Sequence, residues 1–489
     1  MRELAPARLI AILLLCGLRI AGAEAAGPDS ALVQAAKSRD WNAVAHLLHQ
    51  GHDADAPQAD GTTALHWAAH WNHPVTLEAL IDAGANVNAE NDLGATPLWV
   101  ACADRNTGIV KRLLAAGANS DGGLHSGETL LMRCSYTGDA AAVEALLDHG
   151  ADVNAAEPSR GQTALMWAAA TRHPDVTRAL LARGADLGAR TATVRQFRGT
   201  GLRSTTSPAG AEHFEAGGFT PLLFAARHGD IDSARLLLDA GADVNDTAAD
   251  GNSALVLAAM SGHPRLAEIL LERGADPDAA GAGYSALHAA VLRADAALVR
   301  ALLARGAQPN ARLARGTPVP RWTYQFVFTL REKGATPLVL AARYLEPDIL
   351  RLLAAGGADP LLTLDDGTTA LMAAVGVGAN RSTTRRSRLI APELVTAEWQ
   401  DEDRVLETVK AAVEAGAAAV IHETHRAGDT VLHTAARFGF ETVVEYLARH
   451  GGDLDAPNEN GVTPRELLER RRAGRPASQA GGAGRGPRA

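Results

Sequence analysis

Three histidines within eight residues, His66, His70 and His73, interleaved with Trp67 and Trp71, are the densest group in this chain that could do chemistry. His66 and His70 stand at i, i+4, a spacing that places two imidazoles on one helix face and suits a zinc or other transition-metal ion. His73 is different, because a histidine before proline recurs at His173 and His263 and so belongs to a repeated turn. His422-Glu423-x-His425 lacks the spacing of a zinc-protease helix and reads as part of a connecting finger. Cys102 and Cys134 are the only cysteines after Cys16. No serine nucleophile elbow, phosphate-binding glycine loop or paired-carboxylate motif stands out, so the expectation is no catalytic residue, no metal and no cofactor.

The elements that position these residues repeat. Gly61, Gly94, Gly127, Gly161, Gly218, Gly251, Gly283, Gly334, Gly367, Gly428 and Gly461 are each followed two residues later by Thr or Ser, and all but the last by Leu two residues after that. Most successive spacings are 32 to 34, and three are stretched to 57, 51 and 61. A period near 33 marks a stacked-repeat architecture. From Gly251 the unit reads GNSALVLAAMSGHPRLAEILLERGADPDAAGA. Apolar residues fall at helical spacing, a Gly-His-Pro break follows, and a second helical pattern runs to a Leu-Leu pair. Gly-Ala-Asp or Gly-Ala-Asn then closes the second helix with a glycine suited to the left-handed conformation, and polar residues form a turn. The fold class expected is all-α, about twelve helix-turn-helix units.

Thr-x-Leu-His-x-Ala-Ala, the Gly-His turn and the Leu-Leu…Gly-Ala-Asp-Val-Asn ending resemble ankyrin repeats, over roughly residues 30 to 472. His66, His288 and His433 keep the family's structural histidine, which leaves His70 as the histidine that the repeat does not explain. Residues 30–60 read as an N-terminal capping repeat and 61–472 as repeats with insertions at about 190–217, 312–333 and 379–401. The unit from Gly461 is expected to end the stack, since Arg465 replaces its Leu and charge replaces the second helix. Cys102 and Cys134 replace small buried alanines in adjacent repeats. Two buried thiols are the expectation, because a disulfide needs Cα atoms within about 7 Å, closer than adjacent helices usually lie.

Residues 1–23 open with two arginines in MRELAPAR, continue with a short apolar run and offer a small-residue cleavage site, and so read as a secretory signal peptide. An exported chain, periplasmic or secreted, is expected, with no stable membrane insertion because the apolar run is too short to span a bilayer. Leu15 stands where a lipoprotein signal needs a small residue before Cys16. The net charge of −9 argues against nucleic acid as partner. Residues 473–489, rich in Gly, Ala, Pro and Arg, read as a disordered basic tail.

Function is therefore sought on the repeat surface. The resemblance implies a non-enzymatic scaffold, expected to be monomeric, that binds a protein partner through its concave face and fingers. The two positions after the Ala-Ala pair are contact positions in the family; here they include His70, Trp71, Tyr136, Arg227, His228, Met260, Arg343, Tyr344, Arg437 and Phe438. The second insertion adds Trp322, Tyr324, Phe326 and Phe328, which alternate with Thr323, Gln325 and Val327 as a strand with one aromatic face. That face either packs onto neighbouring repeats or joins the contact surface. The alternative function is an exported effector or enzyme accessory with a small-ligand or metal site in the insertions.

Overall fold

The computed structural model describes residues 31–198, 212–316, 332–377 and 401–473. Among the described residues, eleven helix pairs, from Ala31–Lys37 with Trp41–His49 to Val431–Phe438 with Glu441–Arg449, are followed by the helix Pro464–Arg472. The pairs group into two units, residues 1–193 with 217–243 and residues 194–216 with 244–489.

Each part of the repeated phrase has a local job. The glycine takes a left-handed backbone, as at Gly94 with φ +81, where a Cβ would lie 2.8 Å from the His125 backbone nitrogen. The Thr or Ser two residues on is the helix N-cap; Thr96, Thr129, Thr163, Ser253, Thr336 and Thr369 each accept a hydrogen bond from the third residue of the helix. Where that third residue is histidine, the cap is doubled. At His66 the Nδ1 atom accepts from the Thr63 N–H at 3.1 Å, and Nε2 donates to the Ala95 carbonyl of the next repeat at 2.9 Å. The Leu that ends the phrase is buried, as Leu65, Leu98, Leu131 and Leu165 show.

The first helices carry alanine pairs such as Ala68–Ala69 and Ala258–Ala259, all fully or nearly fully buried, which lets neighbouring backbones approach closely. The turns after the second helices are tied into a ladder. Asp55, Asn88, Asp121 and Asn154 in the first unit accept from the backbone N–H of Asn86, Asn119, Asp152 and Asp186 of the following repeat, all at 2.7–2.8 Å. Asn245, Asp278 and Asn310 do the same in the second unit for Asp276, Gln308 and Asp359. The last step spans 49 residues, so the insertion after Ala311 leaves the ladder intact. Likewise Thr177 and Ser233, 56 residues apart, share a buried hydroxyl hydrogen bond of 2.9 Å past the first insertion.

One sequence expectation is corrected here. The cysteines are joined: Cys102 and Cys134 have Cα atoms 4.9 Å apart and form a disulfide between first helices of adjacent repeats. Small side chains along these helices bring the backbones closer than usual, inside the range a disulfide needs. Among the described residues, a two-stranded sheet lies in the first insertion, where Val194–Arg198 pairs antiparallel with Glu212–Ala216. Its register sets Arg195 against Glu215 and Arg198 against Glu212, opposite charges on facing positions that favour pairing. The aromatic strand expected around Trp322, Tyr324 and Phe326 lies outside the described residues.

Candidate protein-interaction surface

In the first unit the ends of the first helices bring aromatic and cationic side chains together across repeats. Trp71 follows helix Ala64–His70, and the guanidinium of Arg39, from the turn of the preceding repeat, lies 3.6 Å from its ring centroid. Lys37 of that repeat stands 5.4 Å from the ring centroid of Trp67. A cation over an indole face gains from the ring quadrupole, about 0.5–1 kcal/mol at an exposed site. His70 points to the other neighbour: its Nδ1 meets Asp104 Oδ2 at 2.6 Å. Asn106 Nδ2 donates to the Ala69 carbonyl at 2.8 Å and fixes the same helix end.

Further along, Arg133 is 7% exposed and bridges to Glu128 at 2.5 Å, while its guanidinium lies 4.9 Å from the Trp99 ring and 5.4 Å from Tyr136. Burial pushes the Glu128 carboxyl above the usual range, opposed by the Arg133 charge and hydrogen bond. Tyr136 meets Trp167 edge to face at 5.6 Å. Arg227 is exposed, with its guanidinium 5.7 Å from the Phe219 ring, and His228 lies parallel to Phe224 at 6.4 Å.

In the second unit the expected contact residues are engaged in other ways. Met260 is half-buried, and its carbonyl accepts from Arg293 at 3.2 Å. Tyr344 donates its hydroxyl to Glu332 Oε1 at 2.6 Å, and Arg343 Nε lies 3.8 Å from the same oxygen, so the chain leaving the second insertion is anchored on these two residues. Arg437 donates to Asp429 at 2.5 Å, and Phe438 rests on Phe440 with centroids 5.7 Å apart. A polar cleft of about 350 Å³ lies between the hairpin, at Arg195, Phe214 and Glu215, and the residues Ala249, Asp250 and Arg315. Arg315 spends its guanidinium on the carbonyls of Asp250, Gly281 and Ala282, which fastens neighbouring fingers together.

The histidine pair does not make a metal centre. His66 commits both ring nitrogens, Nδ1 to the Thr63 cap and Nε2 to the Ala95 carbonyl, and burial holds its pKa down to about 4. His73 accepts from the Thr76 N–H and stacks on Trp41 at 4.3 Å. Among the described residues no group of three or more His, Cys, Asp or Glu side chains is placed to hold a metal ion. His425 approaches Asp366 at 3.6 Å, with no second histidine involved.

Sequence reasoning missed Arg39, Asp104, Arg133 and Trp167, each of which touches an expected contact residue. Arg133 and Trp167 carried a signal: they occupy the position of Trp67 within the repeat, six residues after its glycine, just before Cys134-Ser135 and Ala168-Ala169 respectively.

Helix pairs joined by left-handed turns, capped by Thr or Ser and laced by an Asn/Asp ladder, define a stacked helical-repeat protein. The family model described as "Ankyrin repeats (3 copies)" matches residues 32–123, 105–191 and 222–312, and the "Ankyrin repeat" model matches 427–459. Together these spans exceed half of the chain. The chain belongs to the ankyrin repeat family. It is 33% identical over 141 residues to the human neurogenic locus notch homolog protein 2, covering 28% of this chain and 6% of that protein. It is 30% identical over 261 residues to the ankyrin repeat and KH domain-containing protein mask-1 of Caenorhabditis elegans, covering 51% of this chain and 10% of that one. The match thus spans a small fraction of either relative's length. Among solved structures, the human ASB11 ankyrin repeat domain aligns with a TM-score of 0.41 at 27% identity, covering 50% of this chain and 98% of that one.

Proposed function

We propose that the chain is a non-enzymatic scaffold that binds a protein partner through the ends of its first helices, chiefly in the first unit, and works outside the cytosol. Ankyrin repeats generally mediate protein–protein interaction. The observation that carries the reading is the pairing of Arg39 with Trp71 across adjacent repeats. Side chains already ordered against each other lose little further freedom on binding, and Trp, Tyr and Arg are the types that dominate interface energetics. His70 and Tyr136 extend the same row, held by Asp104 and Trp167.

Export is supported by the sequence of residues 1–23 and by the disulfide, since such bonds persist in oxidising compartments. No described helix is long and apolar enough to cross a membrane. The test is cross-linked capture from the extracytosolic fraction with the mature chain and with a W71A/Y136A variant of equal thermal stability. Loss of a specific partner in the variant is expected. Recovery of the same proteins by both forms, or of none by either, would overturn the reading.

A further inference from the structure

The turn between the two helices of each repeat requires a left-handed residue. Glycine fills it at Gly138, Gly229, Gly262 and Gly439, with φ between 74 and 82. In the first, third and fifth helix pairs it is instead filled by Arg39, Arg105 and Arg172, with φ of 64, 59 and 61. For a residue with a Cβ this conformation costs roughly 1–2 kcal/mol, so three such positions hold strain that glycine would remove. The other non-glycine residues at this turn are Asn72, which tolerates it, and in the second unit Ala294 and Leu345, the latter buried. All three arginines are exposed, and none pairs with a carboxylate among the described residues.

Carboxylates beside these turns have partners of their own, and Asp230, one oxygen of which caps the Ser233 N–H, acts on His173 next to Arg172. Asp40 caps the Ala43 N–H, Asp104 holds His70, Asp139 accepts from the Ala142 N–H and the Thr107 hydroxyl, and Asp175 pairs with Arg178. Lys37 beside Arg39 adds a further cation. Arg105 also acts along the row: after burial, its charge helps to disfavour protonation of His173, which lies next to Arg172.

We infer that Arg39, Arg105 and Arg172 form a cationic ridge on the first unit that docks an extended acidic polypeptide segment. Helices about 10 Å across set arginines two repeats apart at roughly 20 Å, about six residues of extended chain. A partner with carboxylates recurring at about that interval over some thirteen residues can reach all three. Arg39 couples the ridge to the helix-end row through Trp71, so the inference rests on the scaffold reading and names the chemistry of its partner.

The experiment measures fluorescence anisotropy of a labelled poly-Glu peptide of about sixteen residues with the mature chain at low and physiological salt. Binding that weakens with salt is expected. The triple variant R39G/R105G/R172G should lose at least about tenfold in affinity while its unfolding midpoint stays level or rises, because glycine adopts this backbone freely. R39N/R105N/R172N, which also tolerates the turn, should lose the same affinity. Equal affinity of wild type and both variants would overturn the proposal, as would absence of wild-type binding at low salt. Retention on phosphatidylglycerol vesicles without competition by the peptide would overturn it in favour of a membrane partner. The W71A/Y136A variant separates the two readings: if it captures the same proteins while the ridge variants lose the peptide, the helix-end row fails and the ridge stands.

Discussion

Cys102 and Cys134, one from each of two adjacent repeats, face each other with Cα atoms 4.9 Å apart in the buried layer of first helices. Thirty-two residues separate them. One takes the second position of its repeat's alanine pair and the other the first position of the next, and this offset turns both toward the same interface. The bond closes a loop that contains one complete second helix and one finger.

Closing a loop of that length constrains the unfolded chain by about 3–4 kcal/mol. C102A/C134A, which restores the alanines of other repeats, should therefore lower the stability of the first unit by about that amount in urea unfolding, with native helical circular dichroism. Reductant should affect the wild type little until denaturant opens the unit, since both cysteines are solvent-excluded. Alkylation of both thiols in the folded chain would contradict the bond.

Acid should weaken both units. Burial holds the pKa of His66 and His288 down to about 4, against an ordinary value of 6.5, so the folded state binds protons less readily than the unfolded one. The stabilisation is complete above about pH 6.5, falls as pH drops toward 4 and levels off below it, by at most about 3 kcal/mol per histidine. Urea melts between pH 7 and pH 4 should show this decline, and H66A should flatten it for the first unit. A pH-independent midpoint over that range would contradict the assignment.

Glycines of the repeated phrase should differ in their tolerance of alanine. At Gly251 a Cβ would lie 2.3 Å from the Gly281 carbonyl carbon, on a backbone with φ +84. At Gly461, with φ +71, nothing lies within 4 Å. G461A is expected to cost about 1 kcal/mol, the strain alone, and G251A about 3 kcal/mol or more, because backbone must move. Equal losses in chemical denaturation would show that contact across fingers does not matter.

The helix-end row should separate binding from stability. Trp71→Ala removes the ring beneath Arg39 and should weaken partner capture about tenfold or more. Val75→Ala, at a residue 71% exposed on a second helix, should leave capture unchanged. Titration of an identified partner by surface plasmon resonance reads both. Equal effects would remove the helix ends from the interface.

Much of this protein is decided by residues close together in sequence. The left-handed glycine, the Thr or Ser cap three residues ahead of the helix N–H it accepts from, and the Leu that buries itself are all local, so Gly-x-Thr-x-Leu reports them directly, and repetition makes the report redundant. The His66 cap is legible for the same reason. What the tertiary structure alone decided depends on how one repeat lies against the next. Arg39 reaching Trp71, His70 meeting Asp104 and Cys102 meeting Cys134 each join residues 32 to 34 positions apart. Whether such side chains touch is set by differences of an ångström or two in helix spacing, which the small alanines control and which a period in sequence does not express. The Arg195–Glu215 register belongs to the same class, because facing charges become a signal only once the turn that pairs the strands is in place.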